Sequence, residues 1–125
     1  MASSKQNNNP RASKRIDYSS NPCYFAAIFD RFYNMRSNME LCDVTLKVGN
    51  VTFAAHRLIL AGNSPYIRNI FASENSGTLQ QEIALPSIFR EDTVRLILDY
   101  FYSGNLVINT DNCEELLSLA SLLQV

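Results

Sequence analysis

The pattern of apolar and polar residues divides the chain into a polar leader and a region of alternating helices and strands. Residues 1–20 are rich in Asn and Ser and show no apolar period, so they cannot bury enough surface to become ordered. Asn21 and Pro22 then form a helix start signal, because Asn caps a helix and Pro suits its first position. The pattern predicts a disordered leader at residues 1–20 and one domain at residues 21–125.

The first predicted helix carries a continuous apolar stripe. Four side chains at positions i, i+3, i+4 and i+7 form this stripe: Phe25, Ile28, Phe29 and Phe32. The helix should end near residues 36–38. A helix of this length is marginal alone in water and has to dock its apolar face. Its period does not tell whether that face packs on its own chain or on a partner.

A β-hairpin is predicted immediately after this helix. Apolar residues alternate with polar ones from residue 42 to residue 48, starting at Cys42, as in a strand with one buried face. Gly49-Asn50 is a typical two-residue turn, and the alternation continues to complete a hairpin at residues 42–55. A further short strand is predicted at residues 82–85, where the following proline suits the edge or end of a sheet.

Four more helices are predicted from capping and termination signals. They cover residues 56–63, a segment from Ser64-Pro65 through Phe71, residues 93–103 before Gly104, and a last helix opened by a capping box of Asp111 and Glu114. The apolar pattern is still running at Val125, which predicts that further helices follow it. These elements indicate an α+β domain.

Composition and charge limit the classes of partner and the cellular location that the sequence suggests. A chain of 125 residues with a net charge of -1 is the length of one domain and has no overall attraction for nucleic acid or anionic membranes. The basic residues of the leader favour a solvated tail, with a localisation or nucleic-acid signal as the alternative: Lys5, Arg11, Lys14 and Arg15. No apolar run is long enough to span a bilayer or to act as a secretion signal. We therefore expect an intracellular, cytoplasmic or nuclear, protein.

The sequence offers little for catalysis, metals or cofactors. Its single histidine, His56, favours a structural hydrogen-bonding role. Cys23, Cys42 and Cys113 are odd in number, lie far apart and are interpreted as buried small hydrophobes. The glycines stand singly, so no phosphate-binding loop is present. We predict no enzyme activity and no cofactor.

A family resemblance becomes specific within residues 42–71. The segments Cys42-Asp43-Val44, His56-Arg57, Leu60-Ala61 and Ser64-Pro65-Tyr66 resemble the signature of the BTB/POZ domain. The later segments ILDYFYSGNL and LLSLASLLQV are similar to later helices of that family, most of all in kelch-like proteins. The resemblance implies a small three-stranded sheet with a β-hairpin, flanked by helices, and a homodimer with a swapped N-terminal helix.

The resemblance also implies which residues form the homodimer interface. The residues carried over are Phe25, Ile28, Phe29, Phe32, Cys42, Asp43, Arg57, Leu58, Ile59 and Leu60. Asp43 and Arg57 match a charged pair near the dimer groove of such domains, although a simple structural ion pair is an equal alternative.

Kelch-like proteins are adaptors that bind cullin-3 of a RING ubiquitin ligase while a later domain holds the substrate. The cullin-binding face implied here comprises Tyr66, Ile67, Ile70, Phe71, Asn75, Gly77 and Tyr102. The family's cullin binders often carry an apolar residue and a glutamate after this helix, whereas the chain has Asn75 and Gly77 there. The alternative function is a dimerising, corepressor-recruiting domain of a BTB zinc-finger transcription regulator.

Overall fold

The computed structural model describes residues 13–73 and 82–125. Within them it contains five helices and three strands, which confirms the α+β class. The elements are α1 Pro22–Ser37, β1 Val44–Val48, β2 Val51–Ala55, α2 Arg57–Asn63, α3 Pro65–Ala72, β3 Glu82–Leu85, α4 Glu91–Ser103 and α5 Cys113–Leu123.

The sheet has the strand order β2-β1-β3. Leu46 of β1 lies opposite Phe53 of the antiparallel β2 and beside Ile83 of the parallel β3. Gly49 has a φ of 58° in the hairpin turn, a left-handed conformation that glycine adopts without steric cost. The predicted hairpin and the predicted edge strand at residues 82–85 are both confirmed. Cys42 precedes β1 instead of belonging to it.

One hydrophobic core joins a face of the sheet to the buried faces of the last four helices. Alternate residues of β1 and β3 are buried, as the period-two pattern requires. The largest fully buried apolar side chains of the core are Tyr102, Leu60, Ile67, Leu98, Leu119, Leu123 and Val94. α1 contributes no buried residue to this core.

Local caps define several helix ends as predicted. The Asn21 side chain accepts a hydrogen bond from the Cys23 backbone N–H at 2.9 Å at the start of α1. The buried Ser64 hydroxyl accepts from the Ile67 backbone N–H at 3.1 Å and donates to the Leu123 carbonyl at 2.6 Å, so it joins the start of α3 to the end of α5. Gly104 ends α4 with a φ of 74°.

Three helix starts differ from the prediction. α2 begins at Arg57, with His56 as the flanking residue, and α4 begins at Glu91, two residues early. The predicted capping box at α5 is wrong: Asn112 precedes the helix, and no side chain caps it there. The reason is that the turn before α5 is closed by other bonds, such as that from the Asn109 backbone N–H to the Asn112 side chain at 2.9 Å.

Glu115 in the first turn of α5 takes up a role that the sequence did not indicate. Its carboxylate accepts from the Arg90 backbone N–H at 2.9 Å and from the Thr93 hydroxyl, which ties α5 to the start of α4. The Thr93 hydroxyl is the main reason that the pKa of Glu115 lies below its ordinary value. The carboxylate therefore stays ionised to a lower pH than an ordinary glutamate does.

The cysteines are all free thiols, but they are not buried as predicted. Cys23 is exposed, while Cys42 and Cys113 are partly exposed. Cys23 lies at the second position of α1, where the helix still projects into solvent.

Within residues 13–73 and 82–125, no helix is long and apolar enough to cross a membrane. The same residues hold no group of three or more His, Cys, Asp or Glu side chains placed to bind a metal.

Candidate interaction surface

α1 packs against α4 of its own chain, and yet most of its side chains remain exposed to solvent. Phe29 and Phe32 pack partly on the core, and the Arg36 guanidinium forms an ion pair of 2.5 Å with Asp99 of α4. Phe25 at the start of the stripe is 48% exposed. The apolar stripe of α1 is therefore covered only in part by this chain. The exchange of α1 between two copies is a property of the dimer and stays a prediction.

Exposed apolar side chains continue from α1 into the segment before β1 and on to α2. Leu41 is 79% exposed and Leu58 is 83% exposed. Contiguous exposed apolar surface of this kind is typical of protein interaction sites. We call the surface formed by α1, residues 38–43 and Arg57–Ile59 of α2 the seam surface.

Two residues of the seam surface have a left-handed backbone that the sequence did not reveal. Met39 has a φ of 61° and Leu41 a φ of 57°, and such conformations cost non-glycine residues about 1–3 kcal/mol. Both side chains are exposed. Since neither residue is Gly, Asn or Asp, no turn signal marks this segment. Backbone strain of this type clusters at functional sites.

A groove of about 230 Å³ runs between α1 and α2 within the seam surface. It is lined by Phe32, Met35, Leu41, Asp43, His56, Leu58 and Ile59. Four of these were predicted interface residues: Phe32, Asp43, Leu58 and Ile59. Met35 and Leu41 were missed, although Met35 lies beside the predicted stripe.

Asp43 and Arg57 lie in contact, and their role as a charged pair at the dimer groove stays a prediction. The Asp43 carboxylate accepts from the Arg57 backbone N–H at 2.7 Å, and so it satisfies one of the backbone amides at the start of α2. The Arg57 guanidinium lies over the Phe71 ring, 4.0 Å from its centroid, a cation–π contact. Asp43 thus fixes the start of α2, and Arg57 covers part of α3.

His56 has the structural hydrogen-bonding role that was predicted. The Tyr102 hydroxyl accepts from the His56 backbone N–H at 3.0 Å and lies 2.7 Å from Nδ1. The Glu40 carbonyl can only accept, so His56 Nε2 donates to it at 2.9 Å. The other ring nitrogen, Nδ1, can then accept from the Tyr102 hydroxyl, whose pKa burial raises to about 12.

This arrangement leaves Cys42 without a base. Its Sγ lies 3.8 Å from His56 Nε2, but that nitrogen carries a proton already. Burial raises the pKa of the Cys42 thiol, against the opposing effect of the Arg36 charge. A neutral thiol beside a proton-bearing nitrogen is a poor nucleophile. The Cys42–His56 contact is therefore not arranged as a nucleophile and its base.

The structure divides the predicted contact residues into surface and core. In the predicted cullin-binding face, Tyr66, Ile70 and Phe71 are partly exposed on α3. Ile67 is fully buried and Tyr102 is 1% exposed, so neither side chain is available to a partner in this fold.

In the predicted dimer interface, Leu60 is fully buried for the same reason, because it points from α2 into the core. Phe25 is exposed, and Ile28, Phe29, Cys42 and Arg57 are partly exposed. Asn75 and Gly77 lie outside the described residues.

The exposed apolar side chains of the seam surface are typical of a protein-interaction domain. The sequence matches the BTB/POZ domain family over residues 32–125. The chain belongs to that family, and BTB domains are interaction modules.

Curated relatives of the chain include kelch-like proteins. The chain is 37% identical to human Kelch-like protein 28 over 91 residues, which is 73% of the chain and 16% of the relative. It is 43% identical to mouse Kelch-like protein 8 over 88 residues, 70% of the chain and 14% of the relative. It is 34% identical to human Kelch-like protein 21 over 106 residues, 84% of the chain and 18% of the relative. The chain thus matches under a fifth of the length of these relatives.

Solved structures show the same fold. The BTB domain of human gigaxonin superimposes with a TM-score of 0.74 at 26% identity and covers 90% of this chain and 88% of its own. The BTB domain of zebrafish PATZ1 gives a TM-score of 0.73 at 24% identity, with 90% and 86% covered. The predicted BTB/POZ fold is confirmed.

Proposed function

We propose that this BTB domain forms a homodimer through the seam surface and serves as the adaptor part of a cullin-3 RING ubiquitin ligase. The observation that carries the proposal is the half-covered α1, whose stripe continues into the exposed Leu41 and Leu58. Burying a leucine side chain contributes about 1.5–3 kcal/mol. A second copy supplies the cover that one chain does not.

The adaptor role is supported by the kelch-like relatives and by α3. Tyr66, Ile70 and Phe71 form a partly exposed apolar strip on this helix, in the position that the family resemblance assigns to cullin contact. The relatives favour this role over the transcription-regulator alternative. The glutamate of the family's cullin binders is replaced in this chain by Gly77, so we expect an affinity that depends mainly on α3.

Leu41→Asn tests the dimer. Asparagine tolerates the left-handed backbone, so the variant removes an apolar side chain without adding strain. We expect the native chain to sediment at the mass of two chains at micromolar concentration. Leu41→Asn should dissociate at least about tenfold more readily, with an unchanged melting temperature of the dissociated chain.

The matched control is Ile88→Asn, since Ile88 is 81% exposed but lies in the turn after β3. This control should leave the dimer intact. A native chain of one-chain mass at high micromolar concentration would refute the homodimer.

Calorimetry tests the adaptor role. The full-length protein is titrated with a cullin-3 N-terminal fragment, and we expect saturable heat that Tyr66→Ala weakens at least about tenfold, because aromatic anchors dominate interfaces. Ile88→Ala serves as the control with unchanged heat. Absence of heat at high micromolar concentration, from a protein shown to be dimeric, would remove the cullin role and leave the dimer in place.

A further inference from the structure

We infer that the dimer is held by a reciprocal contact in which the Leu58 side chain of each copy enters the groove between α1 and α2 of the other copy. The inference rests on the proposed homodimer and adds which side chains decide the pairing. It makes Leu58 the protruding part and Phe32, Met35 and Ile59 the receiving part.

The receiving part is apolar and concave. Phe32 and Met35 are partly exposed on α1, and Ile59 of α2 is 9% exposed beneath them. The groove of about 230 Å³ has room for a leucine side chain. An apolar side chain entering it leaves water and gains close packing with three neighbours.

The polar groups beside the groove form hydrogen bonds within the chain. Asp43 accepts from the Arg57 backbone N–H at 2.7 Å. His56 bonds to the Tyr102 hydroxyl and to the Glu40 carbonyl at 2.7 Å and 2.9 Å. The other side chains that line the groove are apolar, and an aliphatic side chain needs no polar partner. The groove therefore suits an apolar occupant.

The protruding part lies on the same surface as the groove. Leu58 stands at the rim, 83% exposed, and cannot fill a groove whose wall it forms. A two-fold dimer brings the same patch of each copy together, so that the rim of one faces the groove of the other. The surface is continuous with the α1 stripe of the proposed dimer, which favours a second copy as the occupant.

The test uses two variants that are complementary only if the contact is reciprocal. Leu58→Ala removes the protrusion and keeps the groove, and Met35→Trp fills the groove and keeps the protrusion. Each variant alone should dimerise at least about tenfold more weakly than the native chain. Mixed together, they should form heterodimers in excess of the statistical half in native mass spectrometry, because one intact contact is restored and the filled groove faces alanine.

Circular dichroism and thermal melts confirm that both variants are folded, and Ile88→Ala is the control with native dimerisation. A native chain of one-chain mass refutes the proposed dimer itself. A native dimer that Leu58→Ala leaves unchanged overturns only the inference. A heterodimer fraction at the statistical half for the two weakened variants also overturns the inference. Leu58 of one copy would then pack against Leu58 of the other copy across the two-fold axis.

Discussion

Leu60→Ala is expected to lower the free energy of unfolding by about 2–5 kcal/mol, the range for leucine-to-alanine substitution in a packed core. Leu60 is fully buried although its neighbour Leu58 on the same helix is exposed. Truncating Leu60 opens a cavity among core residues that cannot fully close. Urea denaturation at a fixed chain concentration measures the loss.

Leu58→Ala is the matched control for this measurement. It removes the same atoms from the same helix, but at a solvent-exposed position. The free energy of unfolding of the isolated chain should therefore change by less than about 0.5 kcal/mol. Should Leu60→Ala leave too little folded protein, Leu60→Met keeps the volume and is expected to cost below about 1.5 kcal/mol. Equal losses for Leu58→Ala and Leu60→Ala in the dissociated chain would contradict the described packing of α2.

Asp99→Ala is expected to destabilise the domain by about 2–3 kcal/mol, because it leaves the charge of Arg36 without its partner in a largely buried position. The Arg36 side chain is 12% exposed and that of Asp99 is 35% exposed, so the effect is smaller than for a fully buried pair. Among the described residues, Arg36 Nε is a buried atom without a hydrogen-bond partner. Removing Asp99 therefore takes a principal polar contact from the guanidinium.

The double variant Arg36→Met with Asp99→Ala separates charge from packing. In the native chain the Arg36 guanidinium lies 4.8 Å from the centroid of the Tyr102 ring. A methionine at this position can fill the same space, and it carries no charge that would be left unpaired. The double variant should be more stable than Asp99→Ala alone in the same urea series. If the free energy of unfolding of Asp99→Ala lies within about 0.5 kcal/mol of that of the native chain, the ion pair is energetically neutral.

Local signals predicted most of the framework. The hairpin, β3 and the caps at Asn21, Ser64 and Gly104 depend on residues close in sequence, and each is present in the fold. The predicted capping box at the start of α5 was wrong because Asp111 and Glu114 compete with a turn that Asn109 and Asn112 close. Tertiary contacts, such as that of Glu115 with the start of α4, decide which of the two arrangements forms.

The candidate site was predictable only as a region. In α2 three apolar residues are consecutive, and the helical period does not tell that Leu58 faces water while Ile59 and Leu60 face the core. The family resemblance, carried over residue by residue, placed the buried Ile67 and Tyr102 on a contact face. The left-handed Met39 and Leu41 leave no mark in the sequence, since their conformation is imposed by the path from α1 to β1.

The order of the sheet has a consequence for how the domain is formed. The β1–β2 hairpin closes over two residues and can assemble within about 1–10 μs, whereas residues 49–81 separate β1 from its parallel neighbour β3. That second pairing has to wait for a long loop to close. In the interval, one edge of β1 presents free backbone groups to any other nascent copy. The step most exposed to misassembly during synthesis is thus the late arrival of a four-residue strand.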